Sequence, residues 1–321
     1  MTFGEFNFRN KIKSFFYKKK RKIYKFPEFY LKKILWEDKE DNLYYGHYNI
    51  FKTYIKASLP YKINGEVQHG WTADNSGITD PDRSKKYYVF NEINKKKSIS
   101  IGYENVVAIG SPFIYLCDIY KPKFSFMPKS LLLFPDHSTE WDKMINPINS
   151  YKKYLDSIKN INQRFDKITV SLYYLEYRNE KIRKLFEHQG YEVITMGHKD
   201  KNPNFLYNFY DAVSRHEYVT SNTFCTPIFY GLMMKKKAFI YGNHMHDDIK
   251  YHFIEPNSKY RTDFYGHYKN IYPELLWENF SHECHQIIGK YELGFMHKKS
   301  PKELAKLFGW TWKQIFSTLV F

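Results

Sequence analysis

Cysteine is scarce: three in 321 residues, Cys117, Cys225 and Cys284, far apart and odd in number. That excludes a disulfide framework and a CxxC metal pair, and it fits reduced structural thiols. Long apolar runs are missing too. The longest are pieces such as Ser130 to Phe134, well short of the ~18 residues a bilayer crossing needs, so no transmembrane helix is expected. The start, MTFGEFNFRN, lacks the basic, apolar and small-residue zones of a secretory signal, so a cytoplasmic chain is expected. There is no Walker lysine loop, GxGxxG turn, GxSxG elbow or HExxH helix. Their absence removes P-loop hydrolases, typical dehydrogenases, serine hydrolases and zincins as leading classes and leaves nucleotide-linked transfer chemistry. No repeat of about 20–50 residues is visible, which argues against a solenoid.

What is present is a globular composition, 43% hydrophobic and 26% charged, enough apolar mass for a large core. The net charge of +16 is lopsided. Between Arg9 and Lys33 eleven cations face a single acid, Glu28, so +10 sits in one short segment. Phe15, Phe16, Tyr17, Tyr24, Phe26, Tyr30 and Trp36 are interleaved with them. Aromatic rings at headgroup depth with cations above suit an anionic membrane face. A nucleic-acid arm has a similar composition, and so does a solvated basic helix.

From Ser130 onward apolar strands and amphipathic helices alternate. Strands are expected at Ser130 to Phe134, Lys167 to Leu175, Tyr191 to Met196, Glu217 to Thr220 and Ala238 to Tyr241. Helices are expected at Pro147 to Phe165, from the Asn179 cap to Gln189 with Gly190 as stop, at Phe205 to His216, and at Thr226 to Lys236 with Pro227 in the first turn. Such alternation with short connections predicts a parallel sheet covered by helices. The first half is less regular: a helix at His47 to Ala57 and strands at Gly65 to Gln68, Tyr87 to Asn91 and Val106 to Ile109. Lys121 to Pro128, with two prolines and no helical period, marks a boundary. Ser300-Pro-Lys-Glu reads as a capping box opening a last helix to about Phe316.

In α/β sheets ligands lie beyond the carboxyl ends of the strands, so polar residues just after strands matter most. These are Asp136, His137, Ser138 and Thr139, then Gly197 and His198, then Ser221, Asn222 and Thr223. The last group leads into the helix at Thr226, where hydroxyls and free N–H groups suit a phosphate, although simple N-capping explains the same residues. In the first half, Gln68-His69-Gly70-Trp71 places a histidine at a strand end beside a glycine. A histidine so placed suits a general base on a hydroxyl, and an ordinary hydrogen-bonded loop residue looks the same. His244, His246, Asp247, Asp248 and His252 offer HxHD spacing for a metal, or only a polar loop.

QHGW at Gln68 to Trp71, IGSPF at Ile109 to Phe113, LLLFPDHST at Leu131 to Thr139 and VTSNTFCTPIFYGLMMKKKAFIYG at Val219 to Gly242 together resemble the GT-B glycosyltransferases of bacterial capsule and lipopolysaccharide assembly. The resemblance spans roughly residues 45 to 245 and is nearest to enzymes using CMP-activated ulosonic acids such as sialic, pseudaminic or Kdo sugars. It implies an α/β fold of two Rossmann-like domains facing across a cleft, with C-terminal helices: a basic membrane-surface segment at 1–40, an acceptor-side domain at 41–126 and a donor domain at 127–321. It implies that Ser221, Asn222 and Thr223 hold the donor phosphate, with His137, Ser138, Thr139, Gly197 and His198 also on the donor. Bacterial sialyltransferases carry a His-Pro pair on the nucleotide, where this chain has Gly197-His198-Lys199-Asp200. The His-Gly pair is similar to that of CDP-glycerol-type wall-polymer transferases, which makes His69 the base, with Asp136 as alternative and Gln68, Gly70 and Trp71 on the acceptor side. The implied reaction moves an acidic sugar from CMP to a glycan or lipid-linked glycan at the inner face of the plasma membrane. A CDP-polyol phosphotransferase or another nucleotide-sugar transferase would keep the same domains. No cofactor or metal is expected, because helix N-termini and a histidine can meet a one-phosphate leaving group. The charge is local while the cleft loops carry Ser, Asn, His and Asp, so no nucleic-acid partner is expected, although a basic nucleic-acid-binding protein is the non-enzyme rival.

Overall fold

The computed structural model describes residues 42–57, 62–72, 83–121, 125–140, 143–245, 249–250 and 267–311. The basic segment 1–40, the loop residues 73–76, and His246, Asp247, Asp248 and His252 of the HxHD group lie outside them.

The first unit opens with α1 (His47–Ile55) and follows with β1 (Glu66–Val67), β2 (Lys86–Val89), α2 (Glu92–Ser100), β3 (Asn105–Ala108) and α3 (Pro112–Ile119). Its three strands run parallel in the order β1-β2-β3. Local chemistry sets the helix starts. The Asn91 side chain accepts from the Asn94 N–H at 2.9 Å, and Ser111 accepts from Phe113 N–H with Pro112 preset in the first turn. The apolar turns of α3, Phe113 to Leu116, are fully buried because this helix lies inside the core shared by both sheets.

The second unit contains β4 (Met127–Leu133), β5 (Lys143–Met144), α4 (Pro147–Lys159), β6 (Lys167–Ser171), α5 (Tyr174–Arg178), α6 (Glu180–Glu187), β7 (Glu192–Ile194), α7 (Phe205–Ser214), β8 (His216–Ser221), α8 (Thr226–Met233), β9 (Lys237–Ile240) and β10 (Ile249–Lys250). Five of its strands form one parallel sheet in the order β7-β6-β4-β8-β9, while β5 and β10 pair antiparallel. Chain order therefore reverses direction between β4 and β8. Leu131, Leu133, Ile168, Val170 and Phe239 face α4 and α6 in one core. Leu132, Val219, Ala238 and Ile240 face α7, α8 and the first unit in the other. This period-2 split buries both sheet faces, as a parallel sheet requires.

Of the last helices, α9 (Gln286–Glu292) packs on α8, with Gly289 against Phe229 and Met233, and α10 (Pro301–Leu307) packs on α1 of the first unit. The Ser300 capping box is formed, Phe308 packs edge-on to Phe51 and Tyr88, and Trp310 donates to the Lys62 carbonyl at 3.0 Å.

Several element ends differ from expectation. The helix expected to reach Phe165 stops at Lys159, and that expected to reach Lys236 stops at Met233, where Lys235 takes a left-handed φ of +61°. The strand expected to reach Leu175 ends at Ser171 because Tyr174 starts α5, whose Glu176 turns inward to accept the Ser138 N–H at 2.8 Å. His216 belongs to β8 rather than to the preceding helix, and α10 ends at Leu307, short of Phe316. Helix α2 has no apolar stripe to read, since it buries Asn94 and Ser98.

Gly46 joins the two units. It has φ +77°, and a Cβ there would overlap the Pro203 carbonyl beyond β7. Gly190 has nearly the same φ, +78°, and open space around it. Gly190→Ala is expected to cost about 1 kcal/mol from backbone strain alone, and Gly46→Ala about 2 kcal/mol or more. Urea unfolding of the pair checks the difference, and equal losses would mean that the Pro203 contact constrains nothing.

Candidate active site

The loops that follow β4 and β8 flank the reversal in strand order, the position where sheets of this kind hold ligands. They are tied to each other. Asp136 N–H donates to the Asn222 side-chain oxygen at 2.8 Å, Asn222 donates to the Asn243 carbonyl at 2.9 Å, and the Tyr151 hydroxyl donates to the Asp136 carbonyl at 2.8 Å. Asn222 is fully buried, so its amide fixes the loops rather than facing a ligand. Ser138 is also turned inward, accepting from Met144 N–H at 3.2 Å, and the Thr139 carbonyl accepts from Lys143.

A cavity of about 210 Å³ opens between these loops and the first unit. Of the residues expected at the site, His69, Gly70, Asp136, His137, Gly197 and Ser221 line it; Gln68, Trp71, Ser138, Thr139, His198, Asn222 and Thr223 do not. Gln68 and Trp71 hold the wall instead. Gln68 donates to the Gly70 carbonyl at 2.8 Å and accepts from Phe90 N–H at 2.9 Å. Trp71 donates through its indole to Glu292 at 2.7 Å, and its backbone N–H donates to the Thr226 hydroxyl at 3.1 Å. Thr223 N–H donates to the Ser221 hydroxyl at 3.4 Å.

Helix α8 begins at the cavity wall with Thr226 and Pro227, and its N-cap Cys225 makes no side-chain cap bond. The positive end of the helix thus meets the cavity beside the Ser221 and Thr226 hydroxyls, an arrangement that favours an anion. Tyr173, Phe134, Phe209 and Tyr230 add aromatic rings to the lining, with the His137 ring tilted on Tyr173 at 4.6 Å between centroids. The Tyr173 hydroxyl donates to Glu140 at 2.9 Å. Burial disfavours the Glu140 charge, but its own backbone N–H, Tyr173 and Lys199 outweigh that and hold the carboxyl below its ordinary range. His198 lies outside the cavity, stacked on Tyr174 at 4.4 Å and 3.6 Å from Glu140.

His69 is clasped by Tyr44 and Tyr45, each ring 4.8 Å away. Tyr45 itself reaches across, donating its N–H to the Lys199 carbonyl at 2.6 Å and packing on Phe205. Burial, reinforced by the Lys199 charge and opposed by Glu140, pushes the His69 imidazole down to about 3. It is neutral throughout the physiological range, able to accept a proton only weakly. Tyr45, Tyr173, Glu140 and Lys199 were not among the expected site residues. Tyr45 sits in a tight turn with φ +57°, which leaves no trace in local sequence, whereas Glu140 follows Thr139 directly and could have been weighed with Asp136.

Two further histidines share the low proton affinity. His47 is fully buried with neither ring nitrogen hydrogen-bonded, and His216 is held between the Ala212 carbonyl and the Thr169 hydroxyl; burial lowers both. A folded pKa below the unfolded value of 6.5 means that the unfolded chain takes up protons the native one refuses, so stability falls as pH drops below 6.5. Each such histidine contributes up to about 1.4 kcal/mol per pH unit. Unfolding free energy is therefore expected to decline between about pH 6 and 4.5. Removing the His47 ring as His47→Leu, which breaks no hydrogen bond, should flatten that slope by up to one proton. An unchanged slope would show that His47 is protonated in the native state.

Against known proteins, the chain matches no family model and no curated relative.

Proposed function

We propose that this chain is a metal-independent GT-B-type glycosyltransferase that moves an acidic ulosonic acid from CMP to a hydroxyl of a growing surface glycan. The observation that carries the reading is the cavity itself. An uncapped helix N-terminus, the Ser221 and Thr226 hydroxyls and a histidine just past a strand end line one cavity between two parallel sheets. In the reaction the sugar's bond to the CMP phosphate oxygen breaks as the acceptor oxygen bonds the anomeric carbon. The acceptor proton goes to His69 or Asp136, and the α8 N-terminus with Ser221 and Thr226 meets the charge left on CMP. The aromatic wall at Tyr173 and Phe134 suits a planar base. The glycan acceptor and an anionic membrane at the inner face of the plasma membrane belong to the same reading, as does the two-domain division at about residue 126. Among the described residues no helix is long and apolar enough to cross a membrane.

Thermal shifts with CMP, CDP, UDP and GDP test the donor. A rise with CMP is expected, and Ser221→Ala should weaken it roughly tenfold in affinity, as loss of a charge-assisted hydrogen bond does. A response to CDP alone would move the reading to polyol-phosphate transfer. No response to any nucleotide, with tight duplex binding at physiological salt, would replace it with the nucleic-acid rival.

His69→Ala is expected to lower turnover by about 10²–10⁴ with donor affinity kept. A His69 base held near 3 puts the acid limb of the rate profile well below pH 5, since the imidazole protonates only there. A folded His69→Ala enzyme keeping more than about a tenth of its turnover would transfer the base role to Asp136.

A further inference from the structure

Helix α2 is built the wrong way round for a helix on a sheet. Such helices bury an apolar stripe and expose polar residues. This one buries Asn94 and Ser98 and exposes Ile93 (40%), Ile99 (50%) and, just past its end, Ile101 (43%). The inward polar groups hold it in that orientation. Asn94 N–H donates to the Asn91 side chain, the Asn94 amide to the Thr72 carbonyl at 3.3 Å, the Ser98 hydroxyl to the Asn94 carbonyl at 2.8 Å, and Tyr103 N–H to the Ser98 carbonyl at 3.1 Å. Rolling the helix to hide its isoleucines would break these bonds inside the protein, at a cost larger than the burial of partly exposed side chains returns. Lys95, Lys96 and Lys97 sit among the isoleucines, and the one acid of the helix, Glu92, is engaged by Lys95 at 3.6 Å.

A second exposed apolar pair lies on α9. Ile287 (79% exposed) and Tyr291 (59%) are four residues apart and share a stripe with Lys290 beside them. The two helices meet where the Asn91 amide, at the N-cap of α2, donates to the Glu292 carbonyl at the end of α9 at 2.9 Å. Ile93 and Tyr291 flank that joint. Glu292 also accepts from the Trp71 indole, so the joint is anchored in the protein interior.

We propose that this outward face of α2 with the tip of α9 docks the protein on an anionic lipid bilayer. Its apolar tips are separated by lysines, so they do not form the dry contiguous patch that a protein interface buries at its centre. Single apolar side chains that reach past headgroups, with ammonium groups level with lipid phosphates, match a bilayer surface. The inference rests on the membrane partner of the proposed function and gives it a folded contact apart from residues 1–40.

The test is local so that binding through the N-terminal segment cannot imitate it. In full-length Cys284→Ser protein, an environment-sensitive NBD fluorophore is attached at Ile99→Cys and, separately, at Lys153→Cys on exposed α4. With vesicles of phosphatidylcholine containing phosphatidylglycerol, the Ile99→Cys probe should brighten and shift to the blue while the Lys153→Cys probe stays unchanged. Lys96→Gln should weaken the response about fivefold, the effect of one cation near such a surface. No response at Ile99→Cys, or an equal one at both positions, overturns the proposal. So does a response that rises with protein concentration without vesicles, which would assign the face to a second copy of the chain. A missing CMP thermal shift would sink the transferase reading and leave the probe result standing.

Discussion

The hydrogen bond from the Asp136 backbone to the buried Asn222 side chain is the constraint on which the site depends. Strands β4 and β8 are neighbours in the sheet, yet the chain leaves them toward opposite sides, so their loops diverge and leave a crevice. A crevice without cross-links would widen as the loops moved. Asn222 closes it at the base by accepting from one loop and donating to Asn243, so Asp136 above and Ser221 beside it are held by groups that do not themselves face the cavity. The inward turns of Ser138 and Glu176 brace the same loop from below.

Across the crevice the first unit joins the second through the apolar core they share, in which Phe113 of α3 stacks on Tyr230 of α8 at 4.0 Å, and a few polar contacts fix its position. Trp71 takes Thr226 at the start of α8 and Glu292 of α9, and Tyr45 takes Lys199 beyond β7. These contacts place His69 over the cavity and at the same time strip it of water. Position and proton affinity are thus coupled: the packing that aims the imidazole also lowers its basicity. In the proposed transfer, this weak ground-state affinity would cost a base driving force, and a dry, preorganised site would offset it by strengthening every interaction with developing charge.

The parts of the fold legible in the sequence are those decided by local backbone chemistry. Pro227 in a first turn, Asn179 as cap, Gly190 as stop and the Ser300 box each act within a few residues, and each is where expected. The alternation of strands and helices after Ser130 likewise follows from burial on two faces. The site was half legible for a related reason. Which residues follow a strand can be read, but which of them turn outward depends on distant partners. Asn222 needs Asp136, Gln68 needs Phe90, and Ser138 needs Glu176, so polar residues of the right type at the right place proved to be the frame. Tyr45, in contrast, reaches the site only through the three-dimensional fold.

Helix α2 shows the same dependence in reverse. Its sequence lacks amphipathic period because polar partners inside, Asn91, Thr72 and Tyr103, select Asn94 and Ser98 for the inner face and leave isoleucine for the outer one. An exposed isoleucine is ordinary by itself. Three on one short segment, set among three lysines and backed by an inner face that cannot give way, place apolar surface and positive charge together on the outside of the first unit. A net charge of +16 disfavours self-association, and it favours the one kind of surface that is apolar within and anionic at its boundary.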